Sequence, residues 1–446
     1  MRSQSALALV AAAAAALSAC SSGSPASTSP PNGNAGTSGA ASGAAGSSGS
    51  GAASGSQGTG GGSGSGNGTS GSTSGGSAGA GEGVGSAGSA GTAGSSGSAG
   101  SAGSSGSSGS SGSAGSAGSG GSGSGAGPCD LYQSANTPCV AAHSTARALY
   151  GAYNGKLYQV RRASDNTTQD IPVLSAGGFA DSAKQDTFCT GTTCTISLIY
   201  DQSPMGNDMP KSPPVAHLAN GGKETKAAAA KIMVGGHVVY GVYVEPDGGG
   251  GSGNSYRNNK AKGLATGDQP EAMYMVVDGK RYNDRCCFDY GNVETTGNDD
   301  GNATMEALEF GSITLWSPGA DTGPWVLTDL ENGVFAGNLL APNKNTSNTA
   351  LAGNYLTLML KDPSSNHLTL KGADAQSGML AVKYDGNRPN GYSPQKKQGA
   401  VELGVGGDGS SGGMGTFFEG AVTMGSPPDA VDEAVQANIV AAGYGR

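Results

Sequence analysis

The run AMYMVVDG at residues 272–279 decides the class of fold. It is short, dominated by apolar, β-branched and aromatic residues, and closed by an Asp-Gly pair that favours a turn. The runs TCTISLIYDQS (193–203), VVYGVYV (238–244), NYLTLML (354–360), GMLAVKYDG (378–386) and TFFEGAVTMG (416–425) share that composition, with Gly, Asn, Asp and Pro between them. Many strands of this length predict an all-β fold, a β-sandwich or jelly-roll-like barrel, over alternating α/β layers. Two stretches have helical spacing instead, CVAAHSTARALYGAY (139–153) and PPDAVDEAVQANIVAAGY (427–444). The second carries Asp429 in its first turn, after Pro427 and Pro428. Both predict short helices that cap the sandwich or close its ends.

Outside this region the chain is of a different kind. Arg2 precedes an Ala/Leu/Val run ending in Leu17-Ser18-Ala19-Cys20, the form of an export signal. That run is too short to span a bilayer, and its end resembles a bacterial lipobox, in which Cys20 becomes the acylated first residue. Residues 1–20 are therefore expected to be a lipoprotein signal. Residues 21–127 are Gly, Ser, Ala and Thr with hardly any charge, a composition that cannot bury enough apolar surface to offset chain entropy. They predict a disordered tether, and a Gly/Ser chain of about a hundred residues has a span on the order of 55 Å. Residues 128–446 are then one large domain. The formal net charge of −9 and the pI of about 4.9 disfavour nucleic acid and anionic lipid headgroups as partners. A monomer acting on a neutral or cationic ligand is expected.

Setting Cys20 aside leaves Cys129, Cys139, Cys189, Cys194, Cys286 and Cys287 in an exported domain, an even set that reads as a disulfide framework. The local pairings are Cys129 with Cys139 and Cys189 with Cys194, which leaves two adjacent cysteines with only each other. A disulfide between neighbours would form a rigid, polarizable, nearly apolar knob against which a sugar ring could lie. Reduced thiols, or pairing across the set, are equally compatible with the spacing.

Carboxylates are the other candidates for chemistry. In GPWVLTDLENGVFAG (323–337) strand alternation places Trp325, Leu327, Asp329 and Glu331 on one face. Two acids so close disfavour joint ionisation and titrate as a unit, as acid/base sites often do, although a solvent-facing sheet end would look the same. A third acid, Asp408, opens the glycine-rich loop of ELGVGGDGSSGGMGTFFEG (402–420). Gly404, Gly406 and Gly409 match the dinucleotide fingerprint, but a strand-like run follows where that motif needs a helix. The glycines before Gly251 lack a Walker lysine, His143, His217, His237 and His367 show no metal-ligand spacing, and no Gly-x-Ser-x-Gly elbow occurs. No cofactor or metal is expected.

Five segments, 127–162, 185–203, YNDRCCFDYGNVET (282–295), GPWVLTDLEN (323–332) and LGVGGDGSSGGMGTFFEG (403–420), occur in the order that resembles the catalytic domain of glycoside hydrolase family 54, the α-L-arabinofuranosidases. The resemblance runs from Pro128 to near the C-terminus. It implies a concanavalin-like β-sandwich and a retaining hydrolase that releases terminal arabinofuranose from arabinan or arabinoxylan, outside the cell and without a cofactor. It places the nucleophile at Glu331 and the general acid/base at Asp408, with Asp329 as a third acid. It also implies a Cys286–Cys287 disulfide packed on the furanose, Trp316 beside it, substrate contacts at Asn332 and Gly407, and the two local disulfides named above.

The chain departs from the family pattern at Gly333, where a second Asn usually follows the nucleophile, and in stopping at Arg446 without the arabinose-binding β-trefoil many relatives append. A non-catalytic, lectin-like surface protein is the alternative on the same fold, and a tethered structural adhesin a third.

Overall fold

The run AMYMVVDG lies in the strand Glu271–Asp278, buried along both faces except at its last residue. It lies inside an eight-stranded antiparallel sheet, paired on one side with Tyr355–Asp362 and on the other with Gly415–Met424. Leu368–Asp374 and Ala381–Gly386 extend the first side. The strand Gly415–Met424 is shared on its far side, pairing with His237–Val244 near its start and with Cys139–Ser144 towards its end. This computed structural model describes residues 125–247 and 251–446. The leader, Cys20, most of the 21–127 tract and the glycines at 248–250 lie outside the described residues.

A second, six-stranded antiparallel sheet runs in the order Val334–Phe335, Trp325–Asp329, Glu306–Gly311, Asp289–Val293, Ala400–Leu403 and Tyr256–Asn258. Met273, Met275 and Phe417 of the first sheet share one apolar cluster with Tyr290, Leu308, Val326 and Leu403 of the second. Burying each such side chain contributes roughly 1.5–3 kcal/mol, so this interior holds the two layers together. A smaller antiparallel sheet, built on Lys156–Arg162 and Cys194–Ile199, joins the same cluster through Leu157, Val160 and Ile196. The fold is a concanavalin-like β-sandwich of jelly-roll type with three short helices among the described residues.

The C-terminal stretch is helical as its spacing predicts, over Asp429–Ala442. Pro428 precedes it, Asp429 and Asp432 occupy the positive first turn, and Gly443 ends it at φ 78°, where a side chain would be strained. Its buried Val435, Gln436 and Ile439 face the sandwich. The other helical expectation fails. Cys139–Ser144 is a strand with every residue buried, and the remainder of 139–153 is irregular. A helix there would expose one face, whereas pairing with Gly415–Met424 satisfies the backbone while both faces stay covered, so tertiary context overrides alanine's helix preference. A short helix forms just upstream at Pro128–Ser134, with Pro128 at its first position and Asp130 Oδ2 accepting from Gly127 N–H at 2.7 Å.

Candidate active site

In the six-stranded sheet, alternation sends Tyr290, Leu308, Val326 and Leu403 inward and leaves the other face to residues of a different kind. Asp289, Glu309, Asp329, Glu402 and Arg257 occupy that outer face, and all are buried. Ordinarily an outer face carries acids because water solvates them; here loops cover it. Arg257 is the cation of the group, donating from Nη1 to Glu402 Oε2 at 2.7 Å and to the Gly407 carbonyl at 2.5 Å, and from Nη2 to the Glu294 carbonyl. Burial pushes Glu402 up to about 8 despite Arg257, and pushes Glu309 up to about 7. Asp289 stands well above the carboxylate range through burial and through the charges of Glu309 and Asp329.

Asp329 ends its strand, and the alternation expected to run on to Glu331 stops there. Glu331 and Asn332 adopt left-handed backbone at φ 59° and 51°, costly for a glutamate in particular. The surroundings fix this turn. Asp329 Oδ1 accepts from Glu331 N–H at 3.1 Å, Leu330 N–H donates to Gly333 O at 3.1 Å, and Tyr392 Oη donates to Asn332 O at 2.9 Å. The Asn332 amide reaches Asp299 Oδ1 at 3.0 Å. Asp329 and Glu331 therefore remain neighbours, through a turn and not through a shared strand face. Both are 5% exposed.

Burial, and then the charges of Glu294, Asp329 and Asp408, push Glu331 up to about 12. Glu294 is raised as well, chiefly by burial, and its carboxyl pairs with that of Glu331 while Thr304 Oγ1 donates to its Oε1 at 2.6 Å. Two paired carboxyls share a proton, because joint ionisation in a dry site is prohibitive. Asp329 is likewise raised well above its usual range by burial and by Glu309, Asp408 and Glu294.

Cys286 and Cys287 form a disulfide across a cis peptide, and Cys129–Cys139 and Cys189–Cys194 form the other two. Asp329 Oδ2 lies 3.2 Å from Cys287 Sγ and 3.6 Å from Cys286 Sγ. A disulfide has no S–H, so the carboxyl of Asp329 is the donor in that contact when protonated. On the other side Cys286 packs with Trp316 against Ile313, Trp325 and Leu327. The compact groupings of sulfur and carboxylate among the described residues, Cys286–Cys287–Glu309 and Cys287–Asp289–Asp329, each rely on a disulfide sulfur, which offers no thiolate to a metal.

The loop carrying Asp408 lies over the cysteine pair, and this contact accounts for its glycines. A Cβ on Gly407 would overlap Glu294 Oε2, and one on Gly412 would fall 2.7 Å from Cys286 O. No helix follows; the strand Gly415–Met424 does, so the loop cannot be a dinucleotide motif. Asp408 is held by Ser410 N–H, which donates to Oδ1 at 2.8 Å. Gly333 is explained similarly: a Cβ there would overlap the Phe335 ring and lie 3.1 Å from Tyr392 Oη, and these two rings pack edge to face at 4.8 Å.

The structure thus brings Glu331, Asp329, Asp408, Gly407, Cys286, Cys287 and Trp316 to one outer face, with Asn332 at its margin on Asp299. Cys129, Cys139, Cys189 and Cys194 serve the framework elsewhere. Sequence reasoning missed Glu294, Asp289, Glu309, Glu402, Arg257 and His217. The one available signal was the presence of acids, Asp289 and Glu294 in FDYGNVE and Glu306 and Glu309 in EALEF, within short strand-like runs, which normally marks solvent.

A jelly-roll sandwich with coupled carboxyls on one covered face defines a class that includes many carbohydrate-active proteins. The family model described as alpha-L-arabinofuranosidase B, catalytic, matches residues 128–445, and the chain belongs to that family. It is 51% identical over 326 residues to alpha-L-arabinofuranosidase B of Emericella nidulans, covering 72% of this chain and 62% of the relative. It is 49% identical over 325 residues to the alpha-L-arabinofuranosidase of Hypocrea jecorina, covering 72% of this chain and 63% of the relative. This chain therefore spans less than two thirds of the curated relatives it matches. Among solved structures, an arabinofuranosidase complexed with arabinofuranosyl-α-1,2-xylobiose aligns with a TM-score of 0.68 at 46% identity, over 71% of this chain and 65% of that one. A family 54 α-L-arabinofuranosidase soaked with a cyclic sulfate inhibitor matches with the same score and identity, over 71% and 66%.

Proposed function

We propose that this protein is a retaining α-L-arabinofuranosidase that removes terminal arabinofuranose from arabinan or arabinoxylan side chains. One observation carries the reading. Glu331 and Asp408 come from segments far apart in sequence, yet the loop of Asp408 packs through Gly407 on Glu294, the carboxyl paired with Glu331, and through Gly406 and Gly412 on the Cys286–Cys287 disulfide, which adjoins Trp316. Family membership and the sugar-bound relative support it.

In this reading Asp408, protonated, donates to the departing glycosidic oxygen as the bond to the anomeric carbon breaks, and the Glu331 carboxylate forms a new bond to that carbon from the opposite face. Asp408, now the base, takes a proton from water, which attacks the arabinosyl ester and frees Glu331 with net retention. The transition state resembles an oxocarbenium ion, and a buried face dense in carboxyls stabilises its positive charge. For Glu331 to attack, the proton it shares with Glu294 must rest on Glu294 while Asp329 keeps its own, which leaves Glu331 the one anion of the three. Asp329 fixes the nucleophile's peptide, the disulfide and Trp316 form an apolar platform for the furanose, and Asn332 and Gly407 contact it. No cofactor is needed.

The same reading assigns residues 128–446 to a monomeric catalytic domain, 21–127 to a tether and 1–20 to an export signal. Cys20 would anchor the enzyme at the outside of the cell envelope by lipid.

The test is turnover of aryl α-L-arabinofuranosides with the product anomer followed by NMR. The first-formed arabinose is expected to be the α anomer; initial release of β-arabinose excludes the double displacement, and sugar binding without release favours a lectin.

A further inference from the structure

We propose that His217 is a positioning residue that fixes the carboxyl of Asp408, an inference that rests on the acid/base role given to Asp408 above. His217 belongs to the turn Val215–Leu218, far from the loop in sequence and not part of any motif. The turn is docked at three points, two on this loop and one on the separate segment of Gly297. His217 N–H donates to Asp408 O at 2.8 Å, Ala216 N–H donates to Gly297 O at 2.9 Å, and Gly409, at φ 91°, leaves room only because it lacks a side chain: a Cβ there would meet Val215 Cγ2 at 2.6 Å. From this pinned backbone the imidazole Nε2 reaches Asp408 Oδ2 at 3.3 Å.

Both oxygens of Asp408 thereby have a polar neighbour, Oδ1 the Ser410 N–H in a hydrogen bond and Oδ2 the His217 imidazole at ion-pair distance. A carboxyl held at one oxygen rotates about its last bond; held at both, it keeps its plane, and general acid catalysis depends on that plane facing the leaving oxygen. The imidazole is 54% exposed, so as an ion pair it adds little to folding stability. Its effect belongs to proton delivery. The carboxyls of Asp329, Glu331 and Glu402 also act on Asp408 through their charges.

Proton delivery matters in proportion to how poorly the leaving group departs, which separates this role from a general structural one. In His217→Ala, kcat/KM on methyl α-L-arabinofuranoside is expected to fall about tenfold or more, while on the 2,4-dinitrophenyl glycoside it falls less than about twofold. His217→Gln, which keeps a neutral donor, is expected to recover most of the loss on the methyl glycoside, with both variants melting within a degree or so of wild type. Equal losses on the two substrates, no loss on either, or no recovery with Gln would overturn the inference and leave the glycosidase reading intact. A wild-type chain inactive on both substrates would overturn that reading and this inference with it.

Discussion

Glu331 and Glu294 form a carboxyl pair under the glycine loop, with Glu294 Oε2 filling the space a side chain at Gly407 would need. The nucleophile assigned here is thus in contact with an acid that also supports the loop of Asp408. Replacing Glu331 with Gln removes the ionisable member but keeps its shape. Turnover is expected to drop by at least about four orders of magnitude in Glu331→Gln. The melting temperature at neutral pH should stay level or rise, since a buried like-charge conflict is relieved. Near-normal kcat would remove Glu331 from the chemistry.

The disulfide is assigned to the sugar and not to the framework, so its loss should appear in binding. In Cys286→Ala/Cys287→Ala, KM for an aryl arabinofuranoside is expected to rise about tenfold with circular dichroism unchanged. An unaltered KM in a folded double variant would make the pair purely structural.

Gly333 tests whether the family's second Asn could simply be restored. Phe335 is 1% exposed and Tyr392 is 7% exposed, so neither ring has anywhere to move. Gly333→Asn is expected to cost about 1–3 kcal/mol in urea unfolding and to bring no gain in KM. A stable variant with tighter substrate binding would show that the rings yield.

Raised carboxyls make stability depend on pH with a definite sign. Glu309 and Glu402, at about 7 and about 8, keep protons in the fold that the unfolded chain releases near pH 4.3. Their contribution is complete below about pH 4.3 and is lost as pH rises through 7 to 8, because the native state binds more protons across that window. Asp429, lowered to about 2 by Lys361 and Lys371, acts in the opposite sense but only in acid. The melting temperature should therefore be higher at about pH 5 than at about pH 8. Calorimetry showing a flat or rising profile across that range would contradict the burial argument.

A second buried network is built on Lys397, whose Nζ lies 2.5 Å from Asp362, 3.3 Å from Glu306 and 3.5 Å from Glu271. Lys397→Met strands these acids with too little positive charge. A loss of about 3–5 kcal/mol is expected in urea titration at neutral pH. Wild-type stability there would mean that the acids take up protons instead.

The strands were legible because runs such as VVYGVYV and AMYMVVDG combine β-branched residues with turn chemistry at their ends. The strand at Cys139–Ser144 was not, since its alanines favour a helix in isolation and only the partner strand says otherwise. In the site, Glu331, Asp329 and Asp408 stood out within their motifs, but the strand face expected to carry both Asp329 and Glu331 is replaced by a turn. Alternation cannot foresee that the chain turns left-handed at Glu331. The buried acids of the outer face escaped notice because an acid in a short strand reads as solvent exposure until something is known to cover it. His217 left no local signal at all, for its partner is contributed by another part of the chain.

The tight fit of Gly407 and Gly412 against Glu294 and the cysteine pair also limits how this pocket can be remodelled. At Gly407 and Gly412 that wall has no side chains to exchange, so mutation at either can only break it. Any drift in selectivity towards bulkier neighbours of the sugar must come from outside that loop, for example beside Trp316, whose chain neighbour Leu315 is 45% exposed. Directed evolution with the glycine loop left untouched is the economical library for altering what this chain accepts.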